Sequence, residues 1–325
     1  MIRLLALVLA LPATWGCFAL WYQMPAAKPI RIVAVALWGL FSVLVLLALY
    51  RTRMLYLAGA FVVALAVLLI WWHRVLPSND RLWTDDVAEI TSGTVDGNHV
   101  VLHNVRNFDW RSATDYTPHW ETRGYDLDHL DSVDMILSYW TIQAIAHVLI
   151  SFGFDDGTQV VFSVEIRPEK GETFSSIGGF FKEFELSILA ADERDVIRVR
   201  TNMRGEDDYL YRIRMPRPDM RSLFLAYVAQ ANDLVRTPRF YNTVTVNCTT
   251  LIYHMMKRID GSLPLDYRLL LSGYLPSYVY KVGGLDRRYT LEQLRSFGRI
   301  TDRARAADRS NTFSADIRRG IPAVR

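Results

Sequence analysis

Cysteine is nearly absent from this chain. Two occur among 325 residues, Cys17 and Cys248, too few for a disulfide framework or a Cys-x-x-Cys metal or redox pair. There is no His-Glu-x-x-His pattern for a zinc hydrolase, no Gly-x-Ser-x-Gly elbow for a serine hydrolase and no glycine-rich phosphate loop. No metal and no cofactor are therefore expected. Acidic residues are missing altogether up to Asn79, a stretch that holds six basic ones: Arg3, Lys28, Arg31, Arg51, Arg53 and Arg74. Of 37 Lys and Arg that leaves 31 beyond it, against 34 Asp and Glu, a net charge of −3. A basic nucleic-acid footprint is excluded from that larger part. Internal repeats and low-complexity tracts are lacking too.

Three charge-free apolar runs fill the acid-free stretch: Leu4–Tyr22, Ile32–Tyr50 and Met54–Trp72. Each has about the length that crosses a ~30 Å hydrocarbon core as a helix. Tyr22, Tyr50, Trp71 and Trp72 stand at run ends, where amphipathic rings favour the interface. The first run could instead be a cleaved signal, or a lipoprotein signal ending at Cys17. The bulky Trp15 beside that position argues for an uncleaved helix. Arg51-Thr52-Arg53 in a tight turn is the firmest cytoplasmic marker and puts the globular part outside. The expected plan is a membrane anchor over residues 1–77 with helices near 4–22, 32–50 and 54–72. One α+β extracytoplasmic domain is expected over 78–325, with a loosely held polar tail from about 308.

Within that domain Glu89–Val105 reads as a hairpin around Asp96-Gly97. Phe108–Tyr125 is polar and aromatic, a loop tucked onto the core or part of a substrate rim. Val133–Tyr139, Ala146–Phe154 and Gln159–Ile166 read as strands, the last two joined at Asp155-Asp156-Gly157. Phe180–Phe184 suggests a short helix. Asp195–Arg217 alternates Arg, acid and apolar residues, which predicts a second hairpin with a solvated charged face. Asp219–Val235 has helical spacing. A β-rich run, Phe240–Val246, then gives way to a helix at Leu251–Ile259, and a last helix is expected from Thr290 to Ala307.

Cys248 sits where the Leu251–Ile259 helix begins. A thiol in the first helical turn feels the positive end of the helix dipole and unpaired N–H groups, both of which favour thiolate. A lone cysteine is most often a small buried hydrophobe. An oxidising exterior weighs against that, since an unpaired thiol there is a liability unless it is used or fully buried. His147 is the preferred base, entering a strand between apolar Ala146 and Val148. If Phe154 and Thr158 close a three-residue turn, His147 faces Glu165, with Cβ atoms ~5 Å apart. That carboxylate could orient the imidazole and fix its tautomer. His254 is rotated about 240° from Cys248 along the helix. His99, His103, His119 and His129 have weaker claims.

Several segments together resemble the extracytoplasmic domain of the Lnb-type lipoprotein intramolecular transacylase family. They are Val101-Leu102-His103-Asn104-Val105-Arg106-Asn107-Phe108, Thr114–Trp120, Ser138-Tyr139-Trp140, Ala144-Ile145-Ala146-His147, Ser151-Phe152-Gly153-Phe154, Glu169-Lys170-Gly171-Glu172, Tyr241-Asn242 and Asn247-Cys248-Thr249-Thr250. The resemblance implies a circularly permuted papain-like (NlpC-like) thiol fold, in which the histidine strand precedes the cysteine helix. It implies Cys248 as nucleophile and His147 as general base. Asn247 and the Cys248 backbone N–H are candidate oxyanion donors. It further implies a bacterial inner-membrane protein with its domain in the periplasm, acting on membrane lipids or lipoproteins. The implied reaction moves an ester-linked acyl chain through a thioester to an amine or to water. Two rival readings stand beside it: an amidase or peptidase of the cell envelope, and a non-catalytic lipid- or partner-binding module.

Overall fold

The computed structural model describes residues 2–52 and 55–323. Arg53 and Met54, part of the topology marker and the start of the third apolar run, lie outside the described residues. The chain forms two compact units, Met1–Ser78 with Thr173–Glu185, and Asn79–Glu172 with Leu186–Arg325.

Three helices make up most of the first unit: α1 (Ile2–Gln23), α2 (Lys28–Thr52) and α3 (Leu55–Arg74). They meet around Leu9, Ala13, Val45, Leu49 and Phe61. The Trp38 indole donates to the Ala13 carbonyl at 2.8 Å and lies over Gly16, where any side chain would collide with its ring. Outside this seam Val33, Leu37, Leu40, Leu44, Val62 and Val63 are exposed. Helices that stay apolar on their outer faces need an apolar solvent. Lys28–Arg51 and Leu55–Arg74 are each long and apolar enough to cross a membrane.

The second unit is built on a sheet. Its strands are β1 (Ser92–Asp96), β2 (His99–Arg106), β5 (Trp120–Asp126), β6 (Leu130–Tyr139), β7 (His147–Phe154), β8 (Gln159–Arg167), β9 (Glu185–Ala191) and β10 (Asp207–Arg212), while β3 (Asp109–Trp110) and β4 (Tyr116–Thr117) form a separate small hairpin. The order is β1-β2-β9-β8-β7-β6-β10, with β5 added alongside β2. Side chains alternate between faces along each strand. Val148, Ile150, Phe152, Val160 and Phe162 face a large core with Phe224, Tyr227 and Met255 of α5 (Arg217–Arg236) and α6 (Cys248–Ile259). Leu149, Val161 and Ile136 face a second core, with Val196 and Ile197 of α4 (Glu193–Arg198) and Ile300, Ala304, Phe313 and Ile317 of the C-terminal region. The unit is therefore a mixed α+β layer structure covered on both faces. Helices α7 (Leu275–Lys281), α8 (Leu291–Gly298), α9 (Thr301–Ala306) and α10 (Phe313–Ile317) complete it.

The first hairpin turns at Asp96-Gly97 as expected, with Gly97 at φ 60°. The β7–β8 hairpin keeps the expected register, closed by the Phe154 N–H on the Thr158 carbonyl at 2.9 Å. The aromatics after Phe108 tuck onto the core. Buried Asp195 accepts the Trp110 indole N–H at 2.7 Å and the Phe108 N–H at 2.8 Å, while Arg106 clamps its carboxylate.

Several expectations are corrected. Asp195–Arg217 is no hairpin: α4 runs into a π-helical turn, Val199–Met203, and only β10 is extended. Most of its buried charges are paired rather than solvated: Asp195, Arg198 and Arg200 find Arg106, Asp308 and Glu165 from elsewhere in the fold. Phe240–Val246 is a loop in which Asn242 bridges to Val246, and Phe180–Phe184 holds only the end of a 3₁₀ turn, Gly178–Phe180. The last helix is broken between Gly298 and Thr301, where the Ile300 N–H bonds Asp208 of the sheet. Nor does the tail hang loose. Phe313 and Ile317 are buried, and Arg318 reaches Asp134 at 2.9 Å and Glu193 at 2.5 Å, both buried.

Candidate active site

Asn247 is the N-cap of α6. Its Oδ1 accepts the N–H groups of Thr249 and Thr250 at 2.9 Å each, and Thr250 Oγ1 accepts the Asn247 N–H, a capping box that fixes where the helix starts. Cys248 is the first helical residue, its thiol buried. The N–H of that position has no acceptor inside the helix. Asn247 Nδ2 donates to the Thr243 carbonyl at 2.8 Å, so the amide expected among the oxyanion donors is engaged in shaping the turn.

His147 opens β7. Ser272 pins the chain just before it, donating to the Ala146 carbonyl at 2.6 Å and accepting the Ala146 N–H at 3.0 Å. The β7–β8 register pairs Leu149 with Ser163, so the next step faces His147 with Glu165 on the same side of the sheet. His147 Nε2 lies 3.1 Å from Glu165 Oε1 and 2.7 Å from Ser163 Oγ, and Ser163 donates on to Glu165 at 2.7 Å. Cys248 lies within electrostatic reach of the imidazole, and each group shifts the other's titration. The structure brings Cys248, His147 and Glu165 into one neighbourhood, with His147, Ser163 and Glu165 joined by hydrogen bonds.

The charges reinforce one another. Burial disfavours the imidazolium, but the Glu165 carboxylate outweighs it and raises the His147 pKa to about 9. Burial likewise raises the thiol, yet the neighbouring His147 imidazolium brings Cys248 below its ordinary value. Glu165 is largely buried, which works against ionisation. His147 and Arg200 nevertheless hold it well below the usual carboxylate range. A thiolate–imidazolium pair is the state these neighbours favour.

Several residues of this neighbourhood escaped sequence reading. Arg200, on the π-helical turn, reaches Glu165 at 3.2 Å and Glu206 at 3.1 Å. Ser138 on β6 stands directly opposite His147, and Asp208 on β10 directly opposite Ser138. Ser138 Oγ bonds both Glu206 and Asp208. Glu165, His147, Ser138 and Asp208 thus form one polar row across four adjacent strands, with Arg200 bridging above it. Burial pushes the Asp208 carboxyl up to about 7. Ser163 carried a signal, lying two residues before Glu165 on the same strand face. Arg200 carried none, since a π turn has no pattern of its own. His254, His99, His119 and His129 are exposed and His103 is half-buried, none of them joined to Cys248. An open cleft of about 470 Å³ between Trp140 and Arg295 reaches Glu206, which bonds Ser138 of the row, but neither Cys248 nor His147.

Fold and site together define a mixed α+β domain carrying a buried Cys–His–Glu constellation. Residues 116–273, which contain all three, match the family model described as the Lnb N-terminal periplasmic domain. Over that segment the match supports the Lnb-type family to which the motifs pointed. No match was found among curated proteins or among solved structures. The periplasmic domain and the two apolar helices make this a membrane-anchored protein with a periplasmic part.

Proposed function

We propose that this protein is a membrane-anchored thiol acyltransferase that takes an acyl chain from a lipid ester. The observation that carries the reading is the His147 imidazole, bonded to Ser163 and 3.1 Å from Glu165, in the same neighbourhood as the buried Cys248 thiol that opens α6. The order of parts, a histidine strand before a cysteine helix, supports a circularly permuted papain-like plan. α1, whose residues 4–22 carry no charge, is read as a third span beside α2 and α3, making the anchor multi-pass with the periplasmic domain outside.

In the proposed reaction the Cys248 thiolate attacks the ester carbonyl carbon. The tetrahedral oxyanion forms beside the first-turn N–H of Cys248, where the helix dipole is positive. Imidazolium gives its proton to the departing glyceryl oxygen as the carbon–oxygen bond breaks, leaving a thioester. An amine then attacks the thioester, His147 takes its proton, and the carbon–sulfur bond breaks to leave an amide and the thiolate. Glu165 and Ser163 keep Nε2 protonated and orient the ring.

The test is incubation of the full chain in lipid with a diacylated lipopeptide bearing a free α-amine, with mass spectrometry of the product. Movement of one acyl chain onto the amine, lost in Cys248→Ala, supports the reading. Transfer that persists in Cys248→Ala would overturn it, as would cleavage of a muropeptide amide with no action on the lipopeptide.

A further inference from the structure

Between β8 and β9 the chain leaves the sheet. Its residues Thr173–Glu185 pack with the helices of the first unit. Phe181 lies 5.2 Å from Phe18, stacks on Tyr22 at 5.8 Å and meets Trp72 at 6.4 Å. Gln23, the last residue of α1, donates to the carbonyls of Phe181 at 3.1 Å and Lys182 at 2.7 Å, while the Tyr22 hydroxyl contacts Ser175 at 3.2 Å. Lys182 donates to the carbonyls of Trp72 at 2.9 Å and Val75 at 3.1 Å, capping the end of α3 where the helix dipole is negative. Lys182 sits at φ 58°, a conformation rare for a residue with a side chain.

So the segment is built onto the ends of α1 and α3 that carry Tyr22, Trp71 and Trp72. Seating Phe181 there leaves its neighbours outside. Phe174, Ile177 and Phe180 are 61%, 49% and 46% exposed. They recur every third residue, and from Thr173 to Lys182 the sequence has no acid and one Lys. Large apolar side chains with a single cation, continuous with the ends of membrane helices, are the composition of an interfacial lipid contact. Aqueous surroundings would leave three large apolar side chains exposed for no gain.

We propose that Thr173–Lys182 is a membrane-surface anchor, with Phe174, Ile177 and Phe180 inserted into the headgroup and upper acyl region of the leaflet at the C-terminal ends of α1 and α3. The occupant of this face is lipid. This rests on the helices spanning the bilayer and is independent of any reaction at Cys248.

The test is photolabelling of the full chain in vesicles containing a phospholipid with a diazirine near the top of one acyl chain, with adducts mapped by mass spectrometry. Adducts should form on the 173–182 segment of the unaltered chain. The triple variant F174S/I177S/F180S should lose them while labelling of α2 and α3 is unchanged, which shows that the helices are still folded and embedded. Labelled helices with an unlabelled segment in the unaltered chain would overturn the proposal. Crosslinks from the segment to a second copy or another protein in place of lipid would overturn it as well.

Discussion

His147 Nε2 sits 3.1 Å from Glu165 Oε1 because a three-residue turn sets the register of the strands that carry them. The positive charge that Glu165 favours on the imidazole in turn lowers the Cys248 thiol, so the carboxylate acts on sulfur through the ring. The pair also has a pH signature in stability. Since its folded pKa is raised, His147 contributes stabilisation that is complete below its ordinary value near 6.5 and is lost as pH rises through about 9.

Glu165→Gln should narrow the pH window of the reactive state from both ends. Without the carboxylate charge the imidazolium is less favoured, so the upper limb of acyl transfer falls from near 9 by about one unit or more. The thiol loses part of the positive charge that lowers it, and the lower limb rises. Ultraviolet absorbance of the thiolate against pH reads the lower limb, and the rate profile reads the upper one. Unmoved limbs would deny Glu165 its role in tuning the pair.

Arg200→Met should destabilise the periplasmic unit by about 3–5 kcal/mol, because it leaves Glu165 and Glu206 buried without their counter-charge. A melting curve in detergent or lipid measures this. An unchanged midpoint would mean that water reaches these carboxylates in solution.

Asn247 separates two roles. As a helix cap it should tolerate Asn247→Ser, since a serine oxygen can still accept from the first turn, whereas Asn247→Ala should cost about 1–2 kcal/mol of stability. Acyl transfer by the serine variant should stay within about threefold of normal. A loss of about 10²–10³ in rate with unchanged melting would restore the amide as an oxyanion donor.

Truncation after Arg309 should unfold or strongly destabilise the domain. It strips Phe313 and Ile317 from one core and removes Arg318, the partner of Asp134 and Glu193. Arg318→Met isolates the charge and should cost about 3–5 kcal/mol in the same melting assay. A fully stable truncated domain would contradict the packing described for this tail.

Much of the site was legible because it depends on local rules. Asp155-Asp156-Gly157 announces a turn, and a fixed turn length sets which residues face each other, so His147 and Glu165 could be paired before any fold was known. Asn247 before Cys248 and two threonines announces a helix start. What stayed hidden depends on distant partners. Asp195, Arg198, Arg200, Glu206 and Asp208 look like a solvated strand pattern, yet each is buried. Partners such as Arg106, Glu165 and Asp308 come from other strands and from the C-terminal region. The Thr173–Lys182 segment was read as part of the domain by position alone, because its sequence does not say that Phe181 docks on α1 and α3.

The central claim is that Cys248 carries the acyl chain. Rapid quenching of the full chain during turnover of a lipid ester, with intact-mass and peptide analysis, tests it most directly. The predicted result is a mass increment of one acyl chain on the Cys248 peptide, released by neutral hydroxylamine as a thioester must be and absent in Cys248→Ala. Turnover without any adduct at Cys248, or a stable adduct at another residue, would contradict it.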